Sequence, residues 1–233
     1  MKRILLTALA LLAPNFAIGL AQAQTPSDRA TGVYVRGGAG VSWAETVNQS
    51  LTYNPFFVSI APLDFERSTE FGNGLALSGA IGFQYARTRT ELEYRRMTPD
   101  VTGGFNRSTL GDTPFALSGD EKFTVQALMS NVYLDLPNQS PLTPYIGVGV
   151  GGARVESQSG ARDAAFAYQG RAGVELRISP KLSLGAEYVY FRTLDLVYGP
   201  ADEELVMGGP IGPRADGAPF VSSSVMGTIR ILF

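Results

Sequence analysis

Eight segments of about ten residues, each alternating apolar and polar side chains with period two, constrain this chain more than any other feature of it. They run approximately Val33 to Trp43, Leu75 to Tyr85, Thr88 to Arg96, Phe123 to Leu136, Pro144 to Val155, Phe166 to Ile178, Leu182 to Arg192 and Phe220 to Phe233, separated by clusters of Gly, Pro, Asn or Asp. Beyond the first two dozen residues no apolar run is long enough for a membrane helix, and no helical period is present. The chain must therefore bury its backbone polar groups by pairing strands.

Period two sorts the side chains into two faces. Leu182, Leu184, Ala186, Tyr188 and Tyr190 share one, against Ser183, Gly185 and Glu187. Ala172, Val174, Leu176 and Ile178 oppose Gln169, Arg171, Glu175 and Arg177. Val225, Ile229, Ile231 and Phe233 oppose Ser224, Thr228 and Arg230; Val33, Val35 and Val41 oppose Tyr34, Arg36 and Ser42; Leu92 and Tyr94 oppose Glu91, Glu93 and Arg95. A soluble sandwich alternates in the same way, so the connections decide. Those near Ala86-Arg87, Pro137 to Thr143 and Ser179 to Lys181 are short, whereas Ala44 to Gly74, Met97 to Lys122 and Thr193 to Pro219 are long and Glu156 to Ala165 is modest. Short turns at one end and long loops at the other, on an even strand count, predict an all-β, eight-stranded antiparallel up-and-down transmembrane β-barrel with periplasmic turns and extracellular loops. Tyr188, Tyr190, Tyr94, Phe83, Tyr85 and Phe233 are expected near strand ends as aromatic girdles. A lipocalin-like barrel would place Arg36, Glu91, Glu93, Arg95, Asp135, Arg171, Glu175, Arg177, Glu187 and Arg230 in a ligand cavity, which argues against it.

Export agrees with this reading. Lys2 and Arg3 precede an apolar run from Ile4 to Leu12, and Ala21-Gln22-Ala23 supplies small residues for cleavage, so residues 1–23 read as a signal peptide and residues 24–233 as one outer-membrane barrel domain. The chain contains no Cys and no His. That removes disulfides, the usual zinc sites and Ser-His or Cys-His catalysis. Ser222, Ser223 and Ser224 are therefore lumen or rim residues, and the Gly-rich runs Gly37-Gly38 and Gly147 to Gly152 lack the Gly-Lys-Ser/Thr of a phosphate loop. The net charge of −2 and the scattered cations offer no basic face for nucleic acid.

Specific stretches then carry a resemblance. Asn131-Val132-Tyr133-Leu134-Asp135, Pro144-Tyr145-Ile146-Gly147-Val148-Gly149-Val150-Gly151, Arg171-Ala172-Gly173-Val174-Glu175 and Ser183-Leu184-Gly185-Ala186-Glu187-Tyr188, in this order, resemble the OmpA-type membrane domain and the small outer-membrane barrels and surface antigens of alphaproteobacteria. Val225, Ile229, Ile231 and Phe233 resemble the C-terminal signal of the barrel-assembly machinery, with Ile231 where many members carry an aromatic. No cell-wall anchoring is implied, because the family's peptidoglycan-binding domain has no counterpart in the sequence.

The function expected is that of a structural and surface-interaction barrel, with no enzymatic activity and no cofactor. Its partners would be outer-membrane lipid and lipopolysaccharide, the assembly machinery, and an extracellular molecule met through the loops. The residues that could act there include Tyr53 to Phe57, Phe105 to Phe115 and Asp202-Glu203-Glu204, the last better read as a solvated loop than as a calcium site. The alternative is a narrow pore for small solutes. Eight strands leave little more than the room side chains fill, and inner-face Gly38, Gly40, Gly147, Gly149, Gly173 and Gly185 are read as serving close packing. An ionic plug of Arg36, Glu91, Glu93, Arg95, Arg171, Glu175, Glu187 and Arg230 is expected to close the lumen.

Overall fold

The computed structural model describes residues 31–53, 63–108, 111–116, 123–136, 140–157, 162–194, 196, 214–215 and 218–233. The expected signal peptide, the acidic run at 202–204 and residues 54–57 of the first loop lie outside them. Among the described residues eleven strands are formed: β1 (Gly32–Ala44), β2 (Val47–Tyr53), β3 (Leu63–Tyr85), β4 (Thr88–Ser108), β5 (Gly111–Ala116), β6 (Phe123–Asp135), β7 (Leu142–Ser157), β8 (Arg162–Arg177), β9 (Leu182–Thr193), β10 (Arg214–Ala215) and β11 (Val221–Leu232).

Eight of these close a barrel in the order β3-β1-β11-β9-β8-β7-β6-β4, with β4 returning to β3 and every pair antiparallel. Closure leaves no ladder edge within the wall, which is what lipid demands. The register fixes the geometry. Stepping between paired residues from Thr98 through Leu75, Val41, Val225, Tyr188, Ala172, Ile146 and Leu134 returns to β4 at Thr88, ten residues lower. A stagger of that size on eight strands tilts them by about 40° and makes the barrel roughly 16 Å across between backbones. Side chains reaching in from opposite walls therefore meet.

That same row marks the outward surface. Leu75, Val41, Val225, Tyr188, Ile146 and Leu134 are all exposed, with Leu92, Ile81, Val148, Leu176, Leu184, Ile229 and Phe233 completing an apolar belt. A soluble protein does not leave so continuous a belt to water. Val225, Ile229, Ile231 and Phe233 all belong to it, on the outer face of β11 and just beyond it. Of the expected girdle, Phe83, Tyr85 and Phe233 lie at the turn end, and Tyr94 and Tyr188 stand six residues up β4 and β9, Tyr94 being the last outward apolar residue before Arg96. Trp43 takes the position near the loop end, with its ring 6.5 Å from that of Tyr188.

The turn end is tight. Ala86 and Arg87 join β3 to β4 with Ala86 at φ 53°, the left-handed conformation that a two-residue hairpin requires at its first central position. The opposite end departs from expectation. The spans read as loops over Ala44 to Gly74 and Met97 to Lys122 contain β2, β5 and long extensions of β3 and β4, which at 23 and 21 residues are about twice what a tilted strand needs to cross a bilayer. In Val47-Asn48-Gln49-Ser50-Leu51 only Val47 and Leu51 mark an apolar side and Gln49 interrupts it between them, so the period-two signal for β2 is weak. β2 flanks the extended β3 with β10 beyond it, β5 flanks β4, and register shifts at Glu70, Phe71 and Gly74 bend the ribbon where it leaves the wall.

Glycines permit the tight wall. A Cβ on Gly40 would lie 2.6 Å from Met226 Cα and 2.8 Å from the Val225 carbonyl carbon on β11. Backbone cannot move aside as a side chain can. Gly40→Ala is therefore expected to destabilise the barrel by about 1–3 kcal/mol, read as a lower urea midpoint in detergent; an unchanged midpoint would refute this account of the wall.

Candidate functional site

On β4 the inward positions are consecutively Arg89, Glu91, Glu93 and Arg95, spaced two residues and so about 6.6 Å apart. Facing strands supply their partners, and the charges sort into two groups along the barrel axis.

The group nearer the turn end is built on Arg89, whose Nη2 lies 2.8 Å from Asp135 and whose Nη1 donates to Glu175 at 2.9 Å. Arg230 pairs with the other oxygen of Glu175 and donates to Gln84 at 2.7 Å. The guanidinium of Arg89 lies 4.5 Å from the centre of the Tyr145 ring and that of Arg230 5.3 Å from Tyr34. Two cations face two carboxylates.

Above it, Arg36 donates to Glu91 at 2.6 Å and to Glu187 at 2.8 Å, while Arg171 donates to Glu93 and Glu187, each at 2.5 Å. Tyr133 donates a short bond to Glu91, and Tyr34 reaches the same carboxylate at 3.2 Å. Tyr145 donates to Glu187 at 2.9 Å, and Asn131 and Gln169 each donate to Glu93 at 2.9 Å. Arg95, fully buried, has Ser224 as acceptor at 2.5 Å and the Met226 sulfur at 3.5 Å. Counting Arg95, three cations oppose three carboxylates. Each group is therefore neutral, which a narrow interior of low dielectric requires.

The next layer toward the loop end is apolar. Met97, Val125, Met129, Val155, Val189, Phe191 and Met226 point inward and are buried, and Phe123, Leu196 and Phe220 pack over them. Phe71 stands edge-on to Phe123 at 5.3 Å and to Phe220 at 6.0 Å. Leu196, from the segment after β9, is held over the mouth by paired 3.0 Å backbone bonds with Ala218. At the turn end a pocket lined by Gln84, Asp135, Thr143, Glu175, Arg177, Ser183 and Arg230 has a volume of about 10 Å³, room for about one water.

All eight residues expected to form a plug point into the barrel, and each has a partner there: Arg36, Glu91, Glu93, Arg171 and Glu187 in the upper group with Arg95 against Ser224, and Glu175 with Arg230 in the lower. Arg177, also read as inward, is instead exposed at the turn-end mouth. It stands at the last position of β8, where the wall no longer encloses it. Arg89, Tyr133, Tyr145 and Asn131 were not read as inward, and Tyr34 and Gln169, though placed on the polar face, were not assigned to the plug. Alternation held the signal for most of them, since Tyr34 stands two residues from Arg36, and Asn131 and Tyr133 lead in steps of two to Asp135. Three of the tyrosines rest on glycines of the adjacent strand: Tyr133 on Gly147, Tyr145 on Gly173 and Tyr34 on Gly82, each a register pair.

Comparisons with known proteins agree with this architecture. A family model described as a surface antigen matches residues 57–203. Major surface antigen 4 of Anaplasma marginale is 26% identical over 157 residues, covering 59% of this chain and 55% of that protein. The outer membrane protein PagN of Salmonella typhimurium is 25% identical over 182 residues, covering 68% and 73%. Against the surface antigen and several Brucella proteins of unassigned function, the chain spans only 51–55% of the relative's length. Among solved structures, Neisserial surface protein A aligns with a TM-score of 0.52 at 14% identity over 87% of this chain and 97% of its own. OprG of Pseudomonas aeruginosa aligns with a TM-score of 0.50 at 14% identity over 86% and 96%. At that identity the likeness concerns the fold.

Proposed function

The chain belongs to the surface-antigen family of outer-membrane β-barrels, and we propose that it is a closed barrel: a membrane-anchored scaffold that presents its β3–β4 ribbon and flanking strands to an extracellular partner, without enzymatic activity. The observation that carries this reading is the continuous filling of the lumen, two neutral ionic groups beneath an apolar layer. Hydrated ions would have to displace both. As an outer-membrane barrel it would have lipid and lipopolysaccharide as neighbours, a reading supported by its similarity to an outer membrane protein. The outward residues Val225, Ile229, Ile231 and Phe233 suit capture by the barrel-assembly machinery.

The test is conductance in a planar bilayer, paired with protease treatment of intact cells. The purified barrel is expected to leave the bilayer at its baseline, and protease to cut at the loop end while sparing the connection between β6 and β7. Regular ion-conducting steps from the wild type would replace the scaffold with a narrow pore. Cleavage between β6 and β7 in intact cells would invert the orientation.

A further inference from the structure

The outer wall carries a feature that the closed-barrel reading does not use. Arg95 and Met97 are buried, so Arg96 between them faces outward and is exposed; Ala153 and Val155 likewise force Arg154 outward. The register sets Arg96 opposite Gln126 and Gln126 opposite Arg154, one row across β4, β6 and β7. Two interstrand steps put the arginine Cα atoms about 10 Å apart. Neither guanidinium has a hydrogen bond or ion pair among the described residues. On the same strands, toward the turn end, lie Tyr94, Leu128 and Val150, each about half exposed and part of the lipid-facing belt.

A guanidinium at the very edge of the belt tolerates that place with an anionic oxygen as neighbour, and its planar fork suits phosphate. We propose that Arg96, Gln126 and Arg154 form a docking site for a phosphorylated glycolipid of the outer leaflet. The two arginines take phosphates at the two ends of a diphosphorylated disaccharide. The Gln126 amide meets a sugar or acyl-linkage oxygen between them, and the acyl chains descend over Tyr94, Leu128 and Val150. The assignment rests on the loop end facing outward; with the opposite orientation the same row would meet inner-leaflet phospholipid.

The test uses the whole refolded barrel in non-ionic detergent micelles, titrated with diphosphoryl lipid A, with the same lipid after phosphate removal, and with phosphatidylglycerol. The expected result is saturable one-to-one binding of diphosphoryl lipid A that Arg96→Gln with Arg154→Gln weakens about tenfold or more. Dephosphorylation should weaken it similarly, added salt should reduce it, and Lys181→Gln at the turn end should leave it unchanged. Equal affinity of the wild type for phosphorylated and dephosphorylated lipid A would overturn the site without touching the closed-barrel reading. Phosphatidylglycerol bound as tightly as lipid A would overturn the choice of a glycolipid. A double variant that retains the heat-dependent gel shift of a folded barrel and binds like the wild type would also overturn it. Should that variant fail to fold, Arg96→Lys with Arg154→Lys keeps the charge but loses the fork, and is expected to bind measurably more weakly; unweakened binding would be equally fatal.

Discussion

Replacing Glu187 by alanine is expected to lower the stability of the folded barrel by about 3–5 kcal/mol, the cost of breaking a buried ion pair from one side. The carboxylate lies between two guanidinia, receiving bonds from Arg36 at 2.8 Å and Arg171 at 2.5 Å, with the Tyr145 hydroxyl at 2.9 Å on its other oxygen. Its removal leaves the upper group with three cations, Arg36, Arg95 and Arg171, against Glu91 and Glu93. An exposed ion pair would be worth less than about 1 kcal/mol, so the size of the effect separates a closed interior from a watery one. Urea unfolding in micelles, followed through Trp43, the single tryptophan, and through the gel shift on boiling, measures it. A loss below about 1 kcal/mol would mean that water already screens these charges. Glu187→Gln keeps the shape while removing the charge, and should recover little of the loss if charge balance is what matters.

The charged part of this interior was legible because strand alternation and net neutrality are both sequence properties. Glu91, Glu93 and Arg95 stand at steps of two on a segment whose other face is Leu92 and Tyr94, so their direction followed once lipid was assigned the apolar side. The apolar layer was not legible, for a physical reason. On β6, Val125, Ala127 and Met129 point inward while Leu128 and Val132 point out, and a strand apolar on both faces carries no period to read. The rule that set polar side chains inward therefore described only the half of the lumen nearer the turns. The ribbon beyond the wall escaped for another reason: Gln49 interrupts the apolar side of the short β2, and pairing there is decided by the backbone of β3 next to it. Connection lengths identified the barrel correctly even so, because the three short turns at 86–87, between β6 and β7, and between β8 and β9 lie at one end regardless of what fills the other.

Two barriers in series make a prediction that neither makes alone. Phe191 is fully buried in the apolar layer, with its ring 6.4 Å from that of Phe220, and it stands four residues beyond Glu187 on the same inward face of β9, about 13 Å further along the strand. Phe191→Ala should cost about 3–5 kcal/mol by loss of burial and creation of a cavity. It is nonetheless expected to leave the bilayer non-conducting, because the Arg36, Arg171 and Glu187 contacts beneath it remain closed. Glu187→Ala should likewise not conduct on its own: the apolar layer above it still excludes hydrated ions. Combined, the two substitutions remove one member from each barrier, and the double variant is expected to show brief cation-excluding openings, since the upper group then carries excess Arg charge. Heat-dependent gel migration identifies the folded fraction of each variant, so a silent channel can be told from an unfolded one. Conduction by Phe191→Ala alone would show that the ionic groups do not seal the barrel, and conduction by Glu187→Ala alone would show the same of the apolar layer.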